Sequence, residues 1–165
     1  MQIIVVSDSH GRIEPMAKIR ELYPTADAYL HCGDSETSIE YLDGYASVQG
    51  NNDMYYDFPE QRIIQIEDCK ILLIHGHQYF LGNRISELAK RAKRLGCEVV
   101  CFGHTHTYQT TVVDNVLIVN PGSVYHNRDG SLPSYAIITK SNGKFTVERK
   151  EVPIASKGSA AKRWF

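Results

Sequence analysis

Phe102-Gly103-His104-Thr105-His106-Thr107 is the stretch whose reading decides the fold. Val99-Val100-Cys101-Phe102 is a short apolar run rich in β-branched residues, which reads as a buried strand. Gly103 breaks the run and presents two histidines, two residues apart, in a loop past the strand's carboxyl end. In open α/β sheets, ligands bind outside the carboxyl ends of the strands. By itself a His-x-His turn says little, because ordinary polar turns look the same. Its weight comes from four further apolar runs that end in similar chemistry.

Ile3 to Ser7 reads as a strand and runs into Asp8-Ser9-His10-Gly11. In an extended turn the side chains of Asp8 and His10, at i and i+2, point the same way. Ala28 to Cys32 is a second strand, running into Gly33-Asp34, and His31 inside it is expected to be a hydrogen-bonded packing residue. Ala46 to Gln49 is a third, followed by Gly50-Asn51-Asn52-Asp53, where an Asn amide oxygen offers a neutral ligand. Gln61–Ile66 and Lys70–Ile74 read as a hairpin whose second arm ends in His75-Gly76-His77. Asp114-Asn115 and Asn142-Gly143 close two more hairpins.

Two helices separate these strands. Pro15 suits a first helical position, and the helix stops before Pro24. From Asn83 or Arg84 to Leu95, the residues Ile85, Leu88, Ala89, Ala92 and Leu95 form one apolar stripe, which Gly96 ends. The other face, with Arg84, Lys90, Arg91, Lys93 and Arg94, reads as solvated. Ser35 is expected to cap a brief helix carrying Ile39 and Leu42.

Composition bounds the function classes. With 165 residues, 42% hydrophobic and 22% charged, the chain can build one real core. Residues 1–153 are expected to form a single domain, and 154–165 a basic, loosely ordered C-terminal tail. A net charge of −1 offers no global basic field for nucleic acid or an acidic membrane. No apolar run approaches the roughly 18 residues that span a bilayer. Met1-Gln2 leads straight into a strand with no signal-peptide pattern, so the expected location is the cytoplasm. Cys32, Cys69, Cys97 and Cys101 lack C-x-x-C spacing and are expected to be buried free thiols.

Collected from the strand ends, the candidate metal ligands are Asp8, His10, Asp34, Asn51, His75, His104 and His106. Seven nitrogen and oxygen donors without a thiolate are too many for one tetrahedral zinc. They suit two divalent ions of the Mn, Fe, Co, Ni or Zn kind sharing a carboxylate, which offsets the repulsion between the ions. The residual positive charge of such a centre favours an anionic electrophile, and a phosphate ester fits best.

Taken in order, Ser7-Asp8-Ser9-His10-Gly11, Gly33-Asp34, Gly50-Asn51-Asn52-Asp53, His75-Gly76-His77 and Gly103-His104-Thr105-His106 resemble the five motifs of the calcineurin-like metallophosphoesterases. The short chain and Asn120-Pro121-Gly122-Ser123 resemble the small bacterial and archaeal phosphodiesterase branch typified by YfcE. The resemblance implies an α/β fold, a four-layer αββα sandwich of two mixed sheets flanked by helices. It implies Asp8, His10 and His106 on one metal, Asn51, His75 and His104 on the other, and Asp34 between them. Asp53 and His77 would stand behind the ligands, with His75 and His77 still open to exchanging places. Gly11, Gly50, Gly76 and Gly103 would let the backbone turn sharply beside the metals.

The implied activity is a dinuclear, metal-dependent phosphodiesterase, manganese being the first choice of metal, in which a bridging hydroxide attacks phosphorus in line. Asp34, Asn51 and His75 would form the catalytic centre, and Asn51, Asn52, His126 and Arg128 would contact substrate. One departure matters: many relatives carry a His where this chain has Asn52, and an amide cannot donate an ionisable proton to the leaving group. The expected partner is a small phosphodiester, with nucleic acid only as a substrate, no membrane, and a homo-oligomer allowed. Alternative readings are a phosphomonoesterase, or a catalytically weak protein-binding scaffold resembling the phosphoesterase-like subunit of the retromer coat.

Overall fold

The computed structural model describes residues 1–153. The expectation of a loosely ordered tail over 154–165 falls outside the described residues. Strand β1 is Gln2–Val6, helix α1 Glu14–Leu22, β2 Ala28–His31, β3 Ala46–Ser47, β4 Gln61–Ile66 and β5 Cys69–Ile74. Helix α2 is Arg84–Leu95, followed by β6 Val99–Cys101, β7 Tyr108–Val113, β8 Val116–Pro121, β9 Ser134–Ser141 and β10 Lys144–Glu151. One five-stranded sheet has the order β10-β9-β1-β2-β3 and the other β4-β5-β6-β8-β7. Both are mixed. Strands β1, β2 and β3 run parallel, as do β5, β6 and β8, while the flanking hairpin strands are antiparallel.

Alternation along each strand builds the layers. Ile3 and Val5 of β1 face the second sheet and join Leu30, Ile71, Leu73, Val99, Val119 and Ile138 between the sheets. Ile4 and Val6 face the other way and meet Met16 and Ile19 of α1. On the far side, Leu72, Val100 and Ile118 pack under Leu88, Ala89 and Ala92 of α2. Four layers result, helix on sheet on sheet on helix, as the resemblance implies. The four cysteines are free and buried. Among the described residues no helix is long and apolar enough to cross a membrane.

Details depart from expectation where tertiary hydrogen bonds take over. The third strand stops at Ser47, and Gln49 donates to Pro59 O at 2.8 Å in place of a ladder partner. The brief helix shrinks to a 3-10 turn, Ile39–Tyr41, preceded by Ser38. Ser35 does not cap it. It is fully buried, and its carbonyl accepts the Gly11 N–H at 2.8 Å. Arg84 is not solvated either; it is 7% exposed, on the same stripe as Leu88 and Ala92. The reason is spacing: positions four apart share a helix face.

Candidate metal centre

The loops after β1, β2, β5 and β6 meet at one end of the sandwich. The loop after β1 extends the pairing with the loop after β2: Asp8 N–H donates to Gly33 O, His10 N–H to Asp34 O and Gly11 N–H to Ser35 O, at 3.1, 3.0 and 2.8 Å. These bonds hold Asp8, His10 and Asp34 in the left-handed region, at φ of 52°, 45° and 56°. His104 and His106 lie there too, at 69° and 52°. The turn at Asp8–His10 is therefore not extended, and the convergence of its side chains comes from the left-handed backbone. Such conformations cost free energy in non-glycine residues and persist only where surroundings impose them.

Two glycines permit close approach rather than a sharp turn. A Cβ on Gly103 would strike Ser7 Oγ and come within 2.7 Å of Asp8 Oδ2. One on Gly50 would strike the Asp34 carboxylate and backbone nitrogen. Neither has a positive φ, whereas Gly11 and Gly76 do, at 80° and 98°.

Two groups of side chains converge. Asp8, His10 and His106 place one donor atom each within 4.8 Å of one another, and so do Asp8, Asp34 and His75. In the first group His10 Nδ1 lies 2.6 Å from Glu36 Oε1, and His106 Nδ1–H donates to His126 O at 2.9 Å. With their protons on Nδ1, the two Nε2 atoms face each other as lone pairs at 3.2 Å. Asp8 Oδ1 is 3.2 Å from His106 Nε2 and has no hydrogen-bond donor among the described residues. Its other oxygen is satisfied by Ser7 Oγ–H at 2.6 Å and His104 N–H at 3.1 Å. Three acceptors converging on one point without a donor are a misfit for a hydrogen-bond network and a fit for a cation. A divalent metal suits this donor set.

In the second group His75 Nδ1–H donates to Cys32 O at 2.7 Å and turns Nε2 toward Asp34 Oδ2 at 3.5 Å and Asp8 Oδ1 at 3.8 Å. Asn51 Oδ1 sits 3.1 Å from His75 Nε2 and 3.0 Å from His104 Nδ1. The sequence left His75 and His77 open. Here His75 is fully buried in the cluster, while the His77 ring is exposed, its centroid 5.4 Å from that of His75. The carboxylate common to both groups is that of Asp8. Asp34 accepts from Asn52 N–H and from Asn52 Nδ2–H, both at 2.8 Å, so Asn52 clamps Asp34.

The electrostatics follow from burial opposed by charge. Burial alone would raise the Asp8 and Asp34 carboxyls; with no cation between them, His106 and His75 carrying a second proton outweigh it for Asp8, and His75 with the Asn52 donors for Asp34, so both end lowered, and a metal ion in the same place would act in the same sense. Burial alone would lower His75, and the facing carboxylates raise it instead. At His104 burial and the nearby charge of His75 act together and push it down to about 4. His31, wholly buried, is likewise pushed down to about 4 by burial. It accepts Gly33 N–H on Nδ1 at 3.1 Å and bonds Ser9 Oγ through Nε2 at 2.9 Å, the packing role expected of it.

Several residues hold the site from behind, Asp53 among them as the resemblance implies. Asp53 Oδ2 accepts Asp34 N–H and Gly50 N–H, and Oδ1 accepts Glu36 N–H, which ties the β2 and β3 loops together. Glu36 itself was missed; its only signal was a carboxylate two residues past Asp34. Ser123 Oγ–H donates to Asp8 O at 2.8 Å and accepts from the N–H groups of Tyr125 and His126. Asn120 Nδ2 donates to Gly103 O and Thr105 Oγ1. The Asn-Pro-Gly-Ser turn thus braces the Asp8–His10 and His104–His106 loops. His126 contributes its carbonyl and is exposed; Arg128 is exposed and reaches His104 O at 3.4 Å.

Two mixed sheets between helices, with a carboxylate–imidazole cluster at their strand ends, define a metallophosphoesterase. The chain belongs to the calcineurin-like phosphoesterase superfamily, whose domain matches residues 1–143. A probable metallophosphoesterase of Bacillus subtilis, YsnB, is 37% identical over 150 residues, 89% of each chain. A protein of Streptococcus pneumoniae described as a predicted phosphoesterase superposes with a TM-score of 0.84 at 29% identity, over 92% of each chain. Vps29 of Entamoeba histolytica superposes with a TM-score of 0.70 at 25% identity, over 91% of this chain and 98% of its own.

Proposed function

We propose that this protein hydrolyses small phosphodiesters in the cytoplasm with two divalent metal ions, manganese first among them. The observation that carries the reading is Asp8 Oδ1, a fully buried carboxylate oxygen with no donor, facing the lone pairs of His10 and His106. Asp8, His10 and His106 would hold one ion, and Asn51, His75 and His104 the other. Asp34 would be shared, as the resemblance implies, since each of its oxygens keeps a lone pair beyond the bond to Asn52, although without ions the carboxylate within reach of both groups is that of Asp8. Bound in this donor set, such ions supply Lewis-acid charge and bring the pKa of water toward neutrality.

The protein's own residues do the rest. Glu36 and the carbonyls of Cys32 and His126 fix the tautomers of His10, His75 and His106, which is how partners behind the ligands orient a metal site. Asn51 Oδ1 lies between two imidazoles, and its amide N–H groups would be available to donate to a phosphate oxygen. Asn52 spends its amide on Asp34 and has no ionisable proton, so the leaving group departs without an acid from this position. Esters with good leaving groups should therefore be preferred. Nitrophenyl diesters turning over no faster than alkyl diesters would refute that preference.

The experiment is hydrolysis of bis-(p-nitrophenyl) phosphate by chelator-stripped protein with Mn²⁺, Ni²⁺, Zn²⁺ or Mg²⁺ restored singly, alongside Asp34→Ala and His104→Ala. Metal-dependent turnover lost in both variants supports the reading. A second reading, a protein-binding scaffold, is favoured by the fold shared with Vps29 and by the missing acid at Asn52. Protein that binds two ions yet turns over no ester would select it.

A further inference from the structure

Helix α2 opens on a residue that its stripe does not explain. Leu88 and Ala92 fill their positions with apolar groups, yet Arg84 shares the face and is 7% exposed. Its Nε–H donates to Gly76 O at 2.9 Å and its Nη2–H to Tyr79 O at 3.0 Å. Those bonds use two of the five N–H donors of a guanidinium. No ion pair among the described residues includes it. A buried cation without an anion is expensive, and burial alone lowers the Arg84 pKa.

Arg84 lines an open cavity of about 400 Å³ together with Leu81, His104, Thr105, Thr107 and Arg128. Arg128 enters from the loop after β8 with its backbone N–H on His106 O at 2.9 Å, and it too joins no ion pair among the described residues. Thr105 Oγ1 accepts from Asn120, which leaves its hydroxyl proton free to donate. Among the described residues no carboxylate lines the cavity. Two unpaired guanidiniums, one of them buried, beside a free hydroxyl are the chemistry of a phosphate cradle. His104 belongs both to this cavity and to the candidate metal centre.

We propose that the Arg84–Arg128 cavity binds a second phosphate of the substrate, so that the protein acts on phosphodiesters carrying a further phosphoryl group beside the scissile one. The proposal rests on the phosphodiesterase reading of the adjoining centre. The competing role for Arg84 is a clamp on the Gly76 and Tyr79 carbonyls, which would affect every substrate alike. The cradle affects only the second phosphate.

The test compares thymidine 5′-(p-nitrophenyl phosphate) with its 3′-phosphorylated counterpart in metal-loaded protein. The 3′-phosphate should raise kcat/KM about tenfold or more, the range of charge-assisted hydrogen bonds. Arg128→Gln and Arg84→Lys should each bring that ratio toward one. Calorimetry on chelator-treated protein should find thymidine 3′,5′-bisphosphate bound about tenfold more tightly than thymidine 5′-monophosphate, a margin lost in Arg128→Gln. A ratio near one for the wild type in both assays overturns the cradle. A ratio untouched by both variants overturns its assignment to these arginines, and Arg84→Lys slowing both esters equally with the ratio intact makes Arg84 a clamp only. Binding preference without turnover of either ester upholds the cradle and overturns the phosphodiesterase. Arg128 is exposed, so its variant remains informative should Arg84→Lys fold poorly.

Discussion

The two ends of the sandwich use the same backbone conformation for opposite reasons. At the amino-terminal ends of the parallel strands, Glu67, Asp114, Asn115, Asn142 and Gly143 are left-handed because tight hairpins demand it. Asn, Asp and Gly tolerate that region best, and the turns face water. At the carboxyl-terminal ends, Asp8, His10, Asp34, His104 and His106 are left-handed through tertiary hydrogen bonds to other loops. One end is locally satisfied. The other stores strain and a mutually repelling acceptor cluster that a cation would relieve.

The largest way to break this contrast is Asp8→Asn. It should cut metal-dependent activity more than a hundredfold and abolish the rise in melting temperature on adding metal, which linkage sets at about 2.7 kcal/mol at a hundredfold excess over Kd. At a pH where His106 and His75 are neutral, chelator-treated Asp8→Asn should melt no lower than chelator-treated wild type, because the change removes a buried charge facing lone pairs. A lower melting temperature would mean that Asp8 is structural.

Gly103→Ala comes next. The added Cβ strikes Ser7 and Asp8, so activity should fall about a hundredfold, the cost of displacing a catalytic group by about 1 Å. Glu36→Gln removes the charge behind His10 and should weaken metal affinity roughly tenfold to a hundredfold in a competition titration with a chelating dye.

A pH experiment isolates His31 from the cluster beside it. The folded protein keeps His31 neutral down to about pH 4, whereas the unfolded chain protonates near 6.5. Between those values the unfolded state binds the extra proton, so the His31 contribution to stability is lost as pH falls, by about 3 kcal/mol in full. His75, raised by its carboxylates, acts in the other direction and gives stability that is lost as pH rises. The difference in urea midpoint between wild type and His31→Gln in chelator should therefore shift against the wild type from pH 7 to pH 5. A constant difference would exclude a neutral buried His31. The smallest effect is at the far end: Gly143→Ala, at φ 72° with open space around it, should cost about 1 kcal/mol in urea unfolding and leave activity unchanged.

Much of this was legible in the residues. Alternation and turn pairs located the strands, and ligand-type residues closing five of the six parallel strands marked the site, because sheet geometry delivers strand ends to one edge. Arg84 was misread because a charge suggests solvent, although its i, i+4 and i+8 spacing placed it on the apolar stripe. Ser35 and Glu36 were misread or missed because their partners, Gly11 and His10, lie more than twenty positions away.

By itself, then, the sequence determined the strands and helices through local period and the candidate donor atoms at the strand ends, and through the order of its motifs a resemblance that implies the family and the layer order. Only the tertiary structure decided that His75 and not His77 turns inward, that Asn52 clamps Asp34, that Asp8 Oδ1 is left without a donor, and that an unpaired guanidinium faces the centre's edge. The physical reason is that each of these is a choice among hydrogen-bond partners distant in sequence, and only packing brings such partners within 3 Å of one another.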